Sequence, residues 1–333
     1  MTGPAALSTP DLAVVIPVWN DETGLDRLLA QISKLEAVSQ VVVVDDASDT
    51  PADLVCMNWP SARLGADLVF ARNAQRRGAG YSRNRGLKKV TTSRVIFFDS
   101  DDRFTFEFTP LINELPQDGF DFCIFAHADS RVAEMGGWGP LPGDERLWEQ
   151  AGAFGALSEL PAEKVPYLIQ LIAYPWNKVY RTGFLREAGL RCTEIMVHND
   201  IELHWLSFLR ASRILVSDRV AAVHVVHQHG TRLTNRRGIE RLEMFRALDP
   251  VRAEIASAGS SHILPFIRFV MALFHWAFDQ LAPEYHTQFR KQIRDFLARS
   301  LDCKAFALIA AAEPELAARI NTHLAWQLTP STT

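Results

Sequence analysis

The sequence is poor in several features that would each assign a class. Its 4 cysteines, Cys56, Cys123, Cys192 and Cys303, are scattered through 333 residues with no CxxC pair. That spacing speaks against a zinc ribbon and implies reduced thiols in a cytosolic setting. The formal net charge is -4, so there is no basic excess of the kind that tracks a nucleic-acid backbone, and no nucleic-acid partner is expected. The most apolar stretch, Ile263 to Phe278, is short of a membrane span and carries Arg268 and His275. It reads as a core helix, compatible at most with peripheral contact at a membrane surface. Met1 to Pro10 lacks the charged-then-apolar order of a signal peptide. The expected location is therefore cytoplasmic, with the inner face of the membrane as the one alternative. Internal repeats and low-complexity tracts are missing as well.

What is present is an ordinary globular composition, 48% hydrophobic and 22% charged, on a chain long enough for one large domain or two. In the first half, short apolar runs alternate with helical spacing. Leu12 to Ile16 reads as a strand, followed by a turn at Pro17 to Asn20. Glu22 to Leu35 spaces Leu25, Leu28, Leu29, Ile32 and Leu35 as one helical face. Gln40 to Val44, Asp67 to Phe70, Arg94 to Phe98 and Phe120 to Phe125 read as further strands, and Ala79 to Val90 as a helix. Such alternation predicts an α/β fold with a mostly parallel sheet covered on both faces. Beyond Arg131 the glycines and prolines of 136–143 mark loops around Trp138 and Trp148. Val165 to Ala173 and Ile201 to Arg210 look helical, Arg213 to Val216 and Ala221 to Val226 strand-like, and the chain from about Gly238 to Gln327 helical. The organisation expected is a flexible N-terminus (1–10), two halves of the α/β region (11–130 and 131–235) and a C-terminal helical region (236–333).

The most informative stretch is Arg94-Val95-Ile96-Phe97-Phe98 followed by Asp99-Ser100-Asp101-Asp102. A buried strand delivers three carboxylates to its carboxyl end, where ligands of open α/β sheets bind. Crowded acids call for a cation, and a divalent metal carrying phosphate is the natural one; alone, the segment reads equally well as a solvated turn. Polar residues also follow the other strands: Pro17-Val18-Trp19-Asn20, Asp45-Asp46-Ala47-Ser48, and Gly78 to Gly86 before the tetrad strand. Gly78 and Gly80 have neither the first-strand position nor the spacing of a dinucleotide fingerprint, which disfavours a dehydrogenase.

Taken in order, Val14-Val15-Ile16-Pro17-Val18-Trp19-Asn20, Val43-Val44-Asp45-Asp46-Ala47-Ser48, Arg83-Asn84-Arg85-Gly86 and Phe97-Phe98-Asp99-Ser100-Asp101-Asp102 resemble the family-2 glycosyltransferases. Tyr174-Pro175-Trp176-Asn177-Lys178-Val179-Tyr180 is similar to that family's W-N-K-x-Y element, so the resemblance covers roughly residues 12 to 235. It implies the GT-A fold, a Rossmann-like mixed sheet flanked by helices, here with a C-terminal helical extension. It implies an inverting, metal-dependent transfer of a sugar from a nucleotide diphosphate, a UDP-sugar by preference, to a saccharide or other hydroxyl acceptor, in cell-surface polysaccharide or glycoconjugate synthesis.

The resemblance also distributes roles. Pro17, Trp19, Asn20, Asp45, Asp46, Arg83 and Asp99 fall at nucleotide-binding positions, with Asp46 first for the base and Arg83 for the diphosphate. Asp101 falls at the metal position, supported by Asp99 and Asp102, and His229 is a further candidate ligand from the His224, His227, His229 cluster. The cofactor implied is Mn²⁺ or Mg²⁺. Asp200 falls at the position of the catalytic base, although an aspartate before Ile201 equally suits a helix N-cap. The family's preceding Glu is Asn199 here. Two other functions stay open: a nucleotidyltransferase, which would want a glycine- and lysine-rich loop after the first strand, and a non-catalytic sugar-nucleotide-binding subunit.

Overall fold

In the computed structural model the described residues are 10–226, 237–257 and 262–325. Two compact units emerge: one runs through Glu194 and resumes from Asn199, and the other takes Ile195–His198 and the C-terminal part of the chain.

The first unit is built on β1 (Leu12–Val18), β2 (Val38–Asp45), β3 (Asp67–Arg72), β4 (Arg94–Phe97), β5 (Arg103–Phe104), β6 (Phe122–Asp129), β7 (Ser158–Glu159), β8 (Lys178–Arg181) and β9 (Ile214–His224). They form one sheet in the order β3-β2-β1-β4-β8-β6-β9-β5, with β7 paired to β9. The β3-β2-β1-β4 block is parallel, and β6 and β9 are parallel to each other. Between the blocks β8 runs antiparallel to both neighbours, so β4, β6 and β9 all point the same way. The carboxyl ends of β1, β2, β3, β4, β6 and β9 therefore share one edge, and the chain enters β8 from that same edge. The halves expected at 11–130 and 131–235 thus contribute strands to a single sheet.

Helices α1 (Glu22–Ile32), α2 (Asp53–Met57), α3 (Ser61–Leu64), α4 (Ala79–Leu87), α5 (Phe108–Glu114), α6 (Ser130–Glu134), α7 (Pro142–Ala151), α8 (Val165–Leu168), α9 (Thr182–Glu187) and α10 (Ile201–Arg210) connect the strands. The first of these shows the logic. Asp21 caps α1 by accepting from the Gly24 amide (3.2 Å), and the helix buries Leu25, Leu28, Leu29 and Ile32, the 3–4 spacing that makes one apolar face.

Some boundaries differ from expectation for physical reasons. Pro17 lies inside β1, paired with Val44, and the turn is confined to Trp19 and Asn20. A proline is tolerated there because β4 pairs with β1 only as far as Val15, so no ladder partner waits for its missing N–H. The two strands expected in 213–226 are one long β9 whose pairing with β6 shifts register between Phe125 and His127. A helix expected through Ala173 ends at Leu168.

The second unit is helical: α11 (Met244–Ser257), α12 (Ile263–Gln280), α13 (His286–Ser300), α14 (Cys303–Ala312) and α15 (Pro314–Leu324). Phe245, Phe274, Phe289 and Phe296 pack ring against ring with centroids 5.4–6.0 Å apart. The apolar run of α12 buries Phe266, Ile267, Val270, Met271 and Phe274, as a core helix does. Among the described residues no helix is long and apolar enough to cross a membrane.

One glycine has a tight positional meaning. A Cβ on Gly80 would sit 2.4 Å from the Thr193 carbonyl oxygen and 2.8 Å from Asn199 Cβ, so α4 reaches the 193–199 turn only without a side chain there. Gly80→Ala gains up to about 1 kcal/mol in helix propensity but overpacks a rigid backbone at a cost of about 1–3 kcal/mol. A net loss in the urea midpoint with unchanged slope is the expected result.

Candidate active site at the carboxyl edge of the sheet

Each strand end at this edge is fixed by hydrogen bonds that its own loop cannot supply. Asn20, with φ 48°, bridges the ends of β1 and β2: its amide donates to Ser48 Oγ (2.9 Å), its Nδ2 to Asp49 Oδ2 (2.8 Å), and its Oδ1 accepts from the Asp49 amide (2.8 Å). Trp19 carries the Arg76 guanidinium over its ring at 3.3 Å, a cation–π contact that orients both.

Asp45 and Asp46, expected at nucleotide-binding positions, are turned into the protein. Asp45 accepts from the amides of Ser48 (2.8 Å) and Ala52 (3.2 Å) and forms an ion pair with Arg72. Asp46 accepts from Asn73 Nδ2 (2.7 Å) and from the amides of Arg77 (2.8 Å) and Gly78 (2.7 Å). Asp46 thus satisfies open donors at the start of α4 from another strand, where a negative charge is favoured. Directly after the two acids Ala47 is held at φ 61°, a strained conformation that persists because both preceding carboxylates are committed.

Arg83 on α4 is buried and reaches two partners: Nη2 donates to Asp99 Oδ1 (2.6 Å) and Nη1 to Asn199 Oδ1 (2.7 Å). Burial alone would discourage its charge, but Asp99 beside it holds the guanidinium protonated. Arg85, on the same helix, donates to the Arg72 carbonyl and to Asn73 Oδ1, both at 2.7 Å, and so braces the end of β3.

One oxygen each of Asp99, Asp101 and Asp102 lies within 4.8 Å of the others. The loop is steadied by Arg27 of α1, which donates to the carbonyls of Ser100 (3.1 Å) and Asp101 (2.9 Å). Asp102 is buried and accepts from the Val225 amide at 2.9 Å. Desolvation and the neighbouring Asp99 push its carboxyl well above the usual range. Arg83 pairs with Asp99 and partly offsets the rise at Asp102, and the all-oxygen donor set of the three carboxylates would suit Mg²⁺ or Mn²⁺. His229 and His227 lie outside the described residues.

Asp200 opens α10, yet its side chain makes no capping hydrogen bond. Desolvation, countered by Arg83 and Lys178, moves its carboxyl up to about 6. Lys178, at the start of β8, is fully buried and donates to the Tyr174 carbonyl and Asn177 Oδ1, both at 2.7 Å. Burial pulls its ammonium down to about 7.

A second group on this edge joins His224 of the sequence's histidine cluster to Asp129 and Arg131, a meeting that the sequence did not indicate. Asp129, at the end of β6, holds Arg131 through Nε (2.8 Å) and Nη2 (2.7 Å), and His224, at the end of β9, through Nδ1 (3.1 Å). The register pairing of Asp129 with His224 joins residues far apart in sequence, so no local pattern announces it. Nearby His127 is buried with neither ring nitrogen partnered, and burial pushes it down to about 3. Trp148 is buried and Trp138 exposed.

A sheet of this order, with its acids gathered at the carboxyl ends and helices beyond, is the GT-A fold. The likeness to solved structures runs along nearly the whole chain. The 1–349 fragment of S. aureus TarS in complex with UDP-GlcNAc matches at TM-score 0.71 and 18% identity, covering 96% of this chain and 92% of that one. The mannosyltransferase PcManGT from Pyrobaculum calidifontis, solved with GDP-Man and Mn²⁺, matches at 0.52 and 15%, over 96% and 85%. In sequence, residues 13–169 match the family model Glycosyl transferase family 2. Two curated proteins are similar to parts of the chain. A pre-mycofactocin glycosyltransferase of Mycobacterium tuberculosis (strain CDC 1551 / Oshkosh) is 36% identical over 100 residues, 29% of this chain and 19% of that protein. The poly(ribitol-phosphate) β-N-acetylglucosaminyltransferase TarS of Staphylococcus aureus (strain Mu50 / ATCC 700699) is 24% identical over 230 residues, 67% and 37%. The chain therefore spans well under half the length of these curated relatives.

The raised Asp200 carboxyl has a stability consequence. Its folded value, about 6, exceeds the ordinary 3.8, so the native state holds the proton more tightly and stability falls as pH rises from about 4 to about 6. Asp200→Asn removes that penalty. At pH 8 the variant should be more stable than the parent by on the order of 1–3 kcal/mol, with the difference shrinking towards zero near pH 4, in urea titrations at both pH values.

Proposed function

We propose that this chain is an inverting glycosyltransferase that moves a sugar from a nucleotide diphosphate, a UDP-sugar by preference, to an acceptor hydroxyl with the help of a divalent cation. The observation that carries it is the pairing of the buried Arg83 guanidinium with half-buried Asp99 at the end of β4, beside the three-acid cluster, with Asp200 making no capping bond and within electrostatic reach of Arg83 and Asp99. The UDP-GlcNAc bound by TarS and the Mn²⁺ present with PcManGT support the choice of donor and metal. The poly(ribitol-phosphate) named for TarS supports a role in cell-surface polymer or glycoconjugate synthesis.

Asp101, Asp99 and Asp102 would hold the cation, which when bound supplies Lewis-acid neutralisation of the leaving diphosphate. The side chains of the chain do the rest. Arg83 faces the diphosphate from the sheet side, where a guanidinium matches phosphate oxygens. Trp19, braced by Arg76, and the loops clamped by Asn20, Asp45 and Asp46 form the nucleotide wall, so those two acids act through the backbone they hold. Asp200 accepts the proton of the acceptor hydroxyl as its oxygen bonds to the anomeric carbon. The carbon–oxygen bond to the diphosphate breaks on the opposite face and the nucleotide diphosphate departs. A carboxyl near 6 is a stronger base than an ordinary aspartate and is still ionised at neutral pH, so turnover should fall as pH drops through about 6.

Two variants test this. Asp101→Ala should abolish the Mn²⁺-dependent thermal stabilisation by UDP that binding to the folded state produces; an undiminished, EDTA-insensitive shift would sink the metal assignment. Asp200→Asn should keep the UDP shift and lose transfer from a UDP-sugar by a factor of about 10²–10⁴. UDP binding with no transfer by the parent chain, across donors, would favour the non-catalytic subunit instead.

A further inference from the structure

The Asp129–His224 pair is not used by the donor site, yet it sits on the same edge. Its two strands are parallel neighbours in register, Asp129 opposite His224. One residue beyond His224, the Val225 amide binds Asp102 of the acid cluster at 2.9 Å. The imidazole therefore stands next to the reaction centre, on the side away from Asp46 and Trp19 in strand order.

Its orientation is fixed on two sides. A carboxylate only accepts, so Nδ1–H donates to Asp129 Oδ2 (3.1 Å). The ring packs against Tyr174 (centroids 4.7 Å) and Trp176 (5.5 Å), which themselves stack at 4.5 Å. An imidazole bonded this way through Nδ1–H carries a lone pair on Nε2 in its neutral form. Among the described residues that nitrogen has no partner, and the side chain is 19% exposed, so the lone pair is within reach of a ligand. The local charge is already balanced: Arg131 grips Asp129 with two parallel bonds of 2.8 and 2.7 Å. A group with that balance offers an acceptor for a hydroxyl and little attraction for an anion.

We propose that His224, oriented by Asp129, is an acceptor-binding residue whose Nε2 accepts a hydrogen bond from a hydroxyl of an uncharged polyol or sugar. The proposal rests on the glycosyltransferase function above and adds where, and by what chemistry, the second substrate is held. Asp200 takes the proton of the reacting hydroxyl; His224 receives a neighbouring hydroxyl and fixes the approach.

The test uses the full chain loaded with UDP and Mg²⁺, with ribitol as probe. Long-range ¹H–¹⁵N spectra of the histidine rings should show His224 protonated at Nδ1 and bare at Nε2, with the Nε2 resonance moving as ribitol is added. His224→Asn keeps a donor towards Asp129 but loses the Nε2 acceptor, whereas His224→Gln keeps an acceptor near that place. Ribitol affinity, read from the other shifting resonances, should fall at least tenfold in the Asn variant and recover in the Gln variant. The UDP thermal shift should stay unchanged in both. An Nε2-protonated ring, an Nε2 resonance indifferent to ribitol, or equal affinity in the Asn variant would overturn the proposal. Loss of the UDP shift in the parent chain would instead count against the donor site, so the two failures are separable.

Discussion

The arrangement depends on one buried cation. Arg83 sits in the interior of the first unit and bonds at once to Asp99 at the end of β4 and to Asn199 at the turn before α10. Removing Asp99 would strand a buried guanidinium, so three separate segments are held to one geometry by a single side chain. The neighbouring choices follow from it. Gly80 has no side chain because α4 must lie close enough for Arg83 to reach Asn199, and Asp46 holds the beginning of that helix from the end of β2.

Burial sets the charge pattern of the edge, and Arg83 opposes the rise at Asp102 and Asp200. Asp99 is paired, Asp102 is pushed up by burial and by Asp99, Asp200 moves to about 6 and Lys178 to about 7. Three carboxylates gather at the end of β4, while the Asp129 carboxylate at the end of β6 is paired with Arg131. The two strand ends thus differ in charge balance along one sheet edge. The residue that the family resemblance would make Glu is neutral here: Asn199 accepts from Arg83 without cancelling its charge, which is left for Asp99.

Much of this was legible in the sequence, because parallel strands are short apolar runs and their ends are marked by polar residues within two or three positions. The acid tetrad, the Arg83 motif and the unusual Asn199 could be read off directly. Other features were not legible for physical reasons. The role of Asp45 and Asp46 depends on where their carboxylates turn, and amides and side chains of distant residues decide that. Strand β8 is four residues long and antiparallel, too brief to give a period. The grip of Arg27 on the tetrad loop, and the meeting of Asp129 with His224, depend on ladder register between distant segments. Pro17 looked like a turn because prolines usually end strands, yet here the neighbouring strand stops first.

The central claim, that the carboxyl edge binds a nucleotide diphosphate between Arg83 and the acid cluster, is tested most directly by a crystal structure of the chain with UDP and Mn²⁺. The account predicts the metal on Asp101, the diphosphate facing Arg83 and the base alongside Trp19. Nucleotide bound elsewhere, or metal density away from residues 99–102, would contradict it.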